Sequence, residues 1–151
     1  MKQTVHPKAT ARILGGRDYP MIRGTVTFVQ RHDGVLVEAA ISGLPKTETG
    51  FFAFHIHEGG SCTGTAEDPF ADAKTHYDPG GCPHPCHSGD MPPLYADKNG
   101  TAKFAFVTDR FTPEEIIGRT IIIHANPDDF HTQPSGNSGE KIACGVIEKM
   151  G

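Results

Sequence analysis

Residues 51–57 read FFAFHIH, and their alternation decides the fold. Successive side chains of a strand point to opposite faces, so Phe52, Phe54 and Ile56 share one side while Ala53, His55 and His57 share the other. One side suits a core and the other can coordinate a metal ion. The same period of two recurs on both flanks. Upstream, residues 22–29 (IRGTVTFV) set Val26 and Phe28 against Thr25 and Thr27, and residues 35–41 (VLVEAAI) gather Val35, Val37, Ala39 and Ile41 on one face. His32-Asp33-Gly34 between them is a hairpin turn signal, and Gly43-Leu44-Pro45 ends the second run. Downstream, strands are expected at 101–107 (TAKFAFV), 119–124 (RTIIIH) and 141–147 (KIACGVI), with a weaker one near 10–14. Together they predict an antiparallel sandwich or flattened barrel.

Two segments break the rhythm, 58–93 and 125–140, both rich in Gly, Pro, Asp, Asn and Ser. Loops of that length are functional or disordered. Thr112-Pro113-Glu114-Glu115 has the chemistry of a helix start, with a Thr cap, Pro at the first position and Glu at the third, and Gly118 limits the helix to about one turn. The 151 residues, 36% of them apolar, fit a single domain over 1–151. Fourteen Lys+Arg against 18 Asp+Glu leave a formal charge of −4 and no basic face for nucleic acid. No run of about 18 apolar residues suggests a membrane span. The start, Met1-Lys2-Gln3-Thr4-Val5-His6, lacks the apolar stretch of a signal peptide, which predicts a cytoplasmic protein. Four cysteines, Cys62, Cys82, Cys86 and Cys144, pull towards an oxidising compartment, and a removed leader, with a periplasmic or secreted chain, would reconcile the two.

Seven metal-competent side chains occupy one window: His55, His57, His76, His84, His87, Asp90 and His124. Four imidazoles suit a copper-type ion, three imidazoles and a carboxylate suit tetrahedral zinc, and one histidine must then serve both. His55 and His57 alone also fit ordinary polar surface residues. The cluster His76, His84, His87 and Asp90 is more telling, because Pro79, Gly80, Gly81, Pro83, Pro85 and Gly89 can wrap its backbone around an ion.

The segments FHIHEGG (54–60), HYDP (76–79), HSGDMP (87–92), GRTIIIH (118–124) and GNSGEKIACGVI (136–147) resemble, in order, the signatures of the copper/zinc superoxide dismutase family. The resemblance covers roughly residues 10–148. It implies an all-β fold, a Greek-key β-sandwich or flattened eight-stranded antiparallel barrel with two long functional loops, the architecture known for this family. It implies copper on His55, His57, His76 and His124, and zinc on His76, His84, His87 and Asp90, with His76 bridging. It further implies Asp128 as the link between a copper histidine and a zinc histidine, a Cys62–Cys144 disulfide, superoxide as substrate and a homodimer as one form of assembly. Read without the resemblance, Asp128 is equally an exposed loop acid, and two buried free thiols are the lesser alternative for the cysteines. His76 would exchange a proton during turnover. Lys141 would steer the anion, a behaviour already known for this family.

Three departures stand out. Lys141 occupies the position where the family usually has Arg; it keeps the charge, loses the planar fork and implies reduced activity. Cys82-Pro83-His84-Pro85-Cys86 encloses a zinc ligand, and the step from His84 to His87 is short for the family. A cysteine ligand in place of His84, a local disulfide and two free thiols are all compatible with that spacing. The segment from His124 to Lys141 is short for the guiding loop, and His131 within it, like His6 and His32 elsewhere, reads as a solvent histidine. These departures motivate a second hypothesis, a dismutase-like copper/zinc-binding protein without turnover, and a third, a sandwich merely stapled by zinc.

Overall fold

Strands form where apolar and polar residues alternate, and they pair so that the apolar faces meet. In the computed structural model, which describes residues 7–150, eight strands form one sheet. They are β1 (Ala9–Gly15), β2 (Arg23–Arg31), β3 (Gly34–Ser42), β4 (Phe51–His57), β5 (Asp90–Tyr95), β6 (Ala102–Thr108), β7 (Thr120–His124) and β8 (Lys141–Lys149). His6 lies outside the described residues. Every pairing is antiparallel, in the order β5-β4-β7-β8-β1-β2-β3-β6. β6 returns to β3 and β7 returns to β4, the long-range crossings of a Greek key. β5 and β6 approach each other at the seam, leaving a nearly closed barrel.

The hairpin signal holds: Arg31 pairs with Gly34 across the two residues His32 and Asp33. The predicted inward faces are inside. Val26, Phe28, Val35, Val37, Ala39 and Ile41 are buried, as are Phe52, Phe54 and Ile56. Each of these larger side chains contributes roughly 1.5–3 kcal/mol of burial. The helix α1 (Pro113–Ile116) is a single turn in which Thr112 and Glu115 close a capping box.

The segment 58–93 is not one aperiodic loop. Its last residues, from Asp90, begin β5, and Ala71–Ala73 make a short 3-10 turn. Pro92 and Pro93 hide the strand in the sequence, since proline cannot donate to a ladder; β5 tolerates them as the end strand, bonded only to β4. The cysteines pair as Cys62–Cys144 and Cys82–Cys86, with no free thiol among the described residues. The first bridge ties the loop after β4 to β8. The second closes a small ring around His84, so of the three states open to Cys82 and Cys86 the disulfide is the one formed.

Candidate metal centre

β4 delivers His55 and His57 on the face away from Phe52, Phe54 and Ile56, and the loop between β4 and β5 folds back over them. Its backbone is pinned there: Tyr77 N–H donates to Ile56 carbonyl at 2.8 Å, and Ile56 N–H donates to Gly89 carbonyl at 2.8 Å. A Cβ on Gly89 would lie 2.3 Å from the Ile56 carbonyl oxygen, so only glycine allows this approach. Tyr77 is locked in turn, donating to Glu115 at 2.5 Å while Arg119 stacks 4.2 Å from its ring centre. These contacts bring His76 beside His57. His124 arrives at the end of β7, where a register shift after Ile123 sets it opposite Lys141.

Six of the seven predicted residues form two groups that share His55 and His76. Ligand atoms of His55, His57, His76 and His124 lie within 4.8 Å of one another, and so do those of His55, His76, His84 and Asp90. His87 completes the second region: its Nδ1 is 3.1 Å from His76 Nδ1 and 3.2 Å from Asp90 Oδ2. His76 Nδ1 to Asp90 Oδ1 is 2.9 Å, and His84 Nδ1 to Asp90 Oδ2 is 3.0 Å. Zinc–nitrogen bonds of about 2.0–2.1 Å in a tetrahedron set ligand atoms about 3.3 Å apart, close to these separations. His84, despite the short interval to His87, is therefore placed with the zinc-type residues.

Each ring has one nitrogen committed to the protein and one free. His57 Nδ1 donates to Lys74 carbonyl at 2.9 Å, and His124 Nδ1 donates to Gly139 carbonyl at 3.2 Å, leaving their Nε2 atoms 3.3 Å apart. Asp128 accepts from His55 Nε2 and from His84 Nε2, both at 2.8 Å, and so joins the two groups. Among the described residues, the buried imidazole nitrogens without a hydrogen bond are His55 Nδ1, His76 Nε2 and His84 Nδ1, the last facing Asp90 Oδ2 at 3.0 Å. Unpaired buried polar atoms are costly, and convergent imidazole nitrogens are the donors a copper or zinc ion takes. The donor set fits both metals.

Burial depresses the histidines: His55 falls to about 4 despite the Asp128 hydrogen bond, and His124 to about 3, with His55 adding repulsion. His57 is held well below its ordinary value by burial and by His124 and His76. Burial would raise Asp90 and Asp128, but histidine donors outweigh it, His76 for Asp90 and His55 with His84 for Asp128, and both carboxyls end below the usual range. His55, His57 and His124 are thus poised as neutral imidazoles, and Asp90 and Asp128 as ionised carboxylates, the forms that ligate.

Sequence reasoning missed two positioning residues. Gln133 bonds the main chain of His84 on both sides, and Arg110 donates to the carbonyls of Pro85 at 2.8 Å and His87 at 3.2 Å. Gly136 carries the left-handed φ of 72°, and a Cβ there would sit 2.0 Å from Asp128 Oδ1. Neither Gln133 nor Arg110 has a local pattern that announces it, whereas Gly136 opens the GNSGEKIACGVI segment. A cavity of about 510 Å³ opens over His57, His76 and His124, with Lys74 and Lys141 on its wall. His32 and His131 are exposed, as expected.

The sequence profile described as "Copper/zinc superoxide dismutase (SODC)" matches residues 22–147. The chain belongs to the copper/zinc superoxide dismutase family. It is 36% identical over 138 residues to "Superoxide dismutase [Cu-Zn] 2" of Aquifex aeolicus, covering 82% of this chain and 78% of that one. Identity to the Deinococcus radiodurans superoxide dismutase [Cu-Zn] is 35% over 146 residues, covering 85% and 79%. The solved Cu/Zn superoxide dismutase from Brucella abortus superposes with a TM-score of 0.79 at 29% identity, covering 93% of this chain and all of that one. This dismutase is an oxidoreductase that disproportionates superoxide to oxygen and hydrogen peroxide, with copper and zinc as its metals. The reading without turnover is not favoured. Its two disulfides fit a non-reducing compartment, and no helix among the described residues is long and apolar enough to cross a membrane.

Proposed function

We propose that His55, His57, His76 and His124 hold copper and that His76, His84, His87 and Asp90 hold zinc. His76 carries the reading. Its Nδ1 lies among Asp90 and His87, while its Nε2 is buried without a partner in the four-histidine group. One ring with a nitrogen in each group is the requirement for a bridge. Asp128 supports the same reading, because a carboxylate that accepts from both His55 and His84 fixes both rings at once.

Bound copper supplies one-electron oxidation of one superoxide and one-electron reduction of the next. His76 takes up a proton at Nε2 in one half-cycle and yields it in the other, as a positioned general acid and base. His57 and His124 keep Nε2 turned to the cavity because their Nδ1 protons are spent on main-chain carbonyls. Lys141, opposite His124 in the β7–β8 register and on the cavity wall, is read as the anion guide.

Metal analysis beside a dismutation assay tests the assignment. The purified chain should take one copper and one zinc. His124→Ala should lose copper and activity while keeping zinc, and His87→Ala should lose zinc first. Full copper retention and activity in His124→Ala refutes the copper set.

We also propose that residues 1–151 act as a single copper/zinc dismutase-like domain, without nucleic acid or membrane partners, in a periplasmic or secreted setting. A homodimer is proposed from the family resemblance and from the exposed aromatic pair Phe51 and Tyr95, 5.1 Å between ring centres and tilted by 52°. Sedimentation that stays monomeric at all concentrations refutes it.

A further inference from the structure

Two lysines line the cavity over the four-histidine group, and the chain treats them differently. Lys141 Nζ lies 2.8 Å from Asp68 Oδ2, with 18% of the lysine side chain exposed against 43% for the aspartate. Asp68 is fixed independently of its partner. Its Oδ1 accepts Phe70 N–H at 3.1 Å, and its carbonyl accepts Thr65 N–H at 2.8 Å. An ion pair held this close presents little net charge to an anion several ångströms away, and salt screens the remainder.

Lys74 has the opposite arrangement. Among the described residues its ammonium has no ion pair and no side-chain hydrogen bond, but its backbone is tightly held. It adopts a left-handed φ of 63°, its N–H donates to Ala71 carbonyl at 3.0 Å, and its own carbonyl accepts from His57 Nδ1 at 2.9 Å. One residue therefore orients a histidine of the four-histidine group through its main chain and sets an unpaired cation at the same cavity through its side chain.

We propose that Asp68 restrains Lys141, and that Lys74 supplies the larger part of the positive field that draws superoxide towards the copper ligands. This rests on the copper assignment above. Glu58 and Asp78, also on the cavity wall, oppose the same field, so a single unpaired lysine weighs heavily there.

The test compares the metal-loaded chain with Asp68→Asn, Lys141→Met, Lys74→Met and the double variant Asp68→Asn/Lys141→Met. Superoxide decay is followed over a range of ionic strengths, and azide, a linear monoanion, is titrated against the copper absorption band. Asn at 68 keeps the acceptor for Phe70 N–H, so the loop survives. Asp68→Asn should speed dismutation about two- to fivefold at low salt, with the gain fading as salt rises, in keeping with the steering known for this family. That gain should vanish in the double variant, and Lys74→Met should slow the reaction and weaken azide binding more than Lys141→Met does. A gain that survives in the double variant reflects net charge alone and overturns the restraint. A Lys74→Met variant with unaltered rate and azide affinity overturns the role of Lys74. If the loaded wild-type chain shows its copper band but fails to dismutate superoxide, turnover fails while the copper site stands, and the azide ranking of the four variants then upholds or overturns the Asp68 relation; a chain with no copper band overturns the proposal together with the copper assignment.

Discussion

Gln133 grips the main chain of His84 from both sides: its Oε1 accepts the His84 N–H at 2.9 Å, and its Nε2 donates to the His84 carbonyl at 2.7 Å. The side-chain amide imitates a neighbouring strand where the loop has none. The loop after β7 thereby holds the same histidine twice, through Gln133 at the backbone and Asp128 at the ring. Gln133→Ala strands a partly buried donor and acceptor. It should weaken zinc affinity roughly tenfold or more with little change in copper affinity, read by competition against a chelator. Unaltered zinc affinity would count against the clamp.

Asp128 joins the groups, so its loss should be felt in both. Asparagine retains one acceptor oxygen but presents an amide N–H₂ to the other imidazole, forcing one ring to turn or lose its bond. Asp128→Asn should lower copper and zinc affinities together, by about 10–100-fold each. Metal titrations in which only one ion is affected would remove Asp128 from its linking role.

The depressed histidines fix the acid sensitivity of the metal-free chain. His55 and His124 titrate at about 4 and about 3 when folded, against 6.5 as the ordinary value. Below 6.5 the unfolded chain takes up protons that the folded chain refuses, so unfolding gains. Stability should stay level above about pH 7 and fall from pH 6.5 towards 4, by up to roughly 1.4 kcal/mol per pH unit for each histidine. The lowered carboxyls of Asp90 and Asp128 add their loss only below 3.8, their ordinary value. Urea midpoints at pH 7.5, 6 and 5 measure the slope; a flat profile contradicts the burial argument.

The two disulfides close loops of very different length, with sequence separations of 82 for Cys62–Cys144 and 4 for Cys82–Cys86. Chain entropy assigns roughly 4–5 kcal/mol to the long closure and about 2 to the short one. Replacing each pair by serine and unfolding the metal-free variants in urea should reproduce that ranking. Equal losses would mean that native-state contacts, rather than loop closure, set the effect.

Much of this architecture is written in short-range patterns. β4 was legible because its alternation separates three core residues from two histidines, and α1 because Thr112, Pro113 and Glu115 sit at the positions a cap requires. β5 was not, because Met91-Pro92-Pro93 has poor strand chemistry and gains its place from β4. The seven ligand-type residues were legible as a set, yet the fit of His84 depended on a ring of five residues closed by Cys82–Cys86, which spacing alone left open. Asp68, Gln133 and Arg110 were silent. Their partners lie 73, 49 and 23–25 residues away, and nothing in a polar loop marks which polar residue will meet which carbonyl or cation.

His57 and His124 are aimed by the carbonyls of Lys74 and Gly139, groups that every amino acid carries. A point mutation at Lys74 can change the charge of the channel wall without deleting the acceptor that orients His57. The wall is therefore open to retuning for charge and anion preference while the acceptors that aim His57 and His124 stay in place.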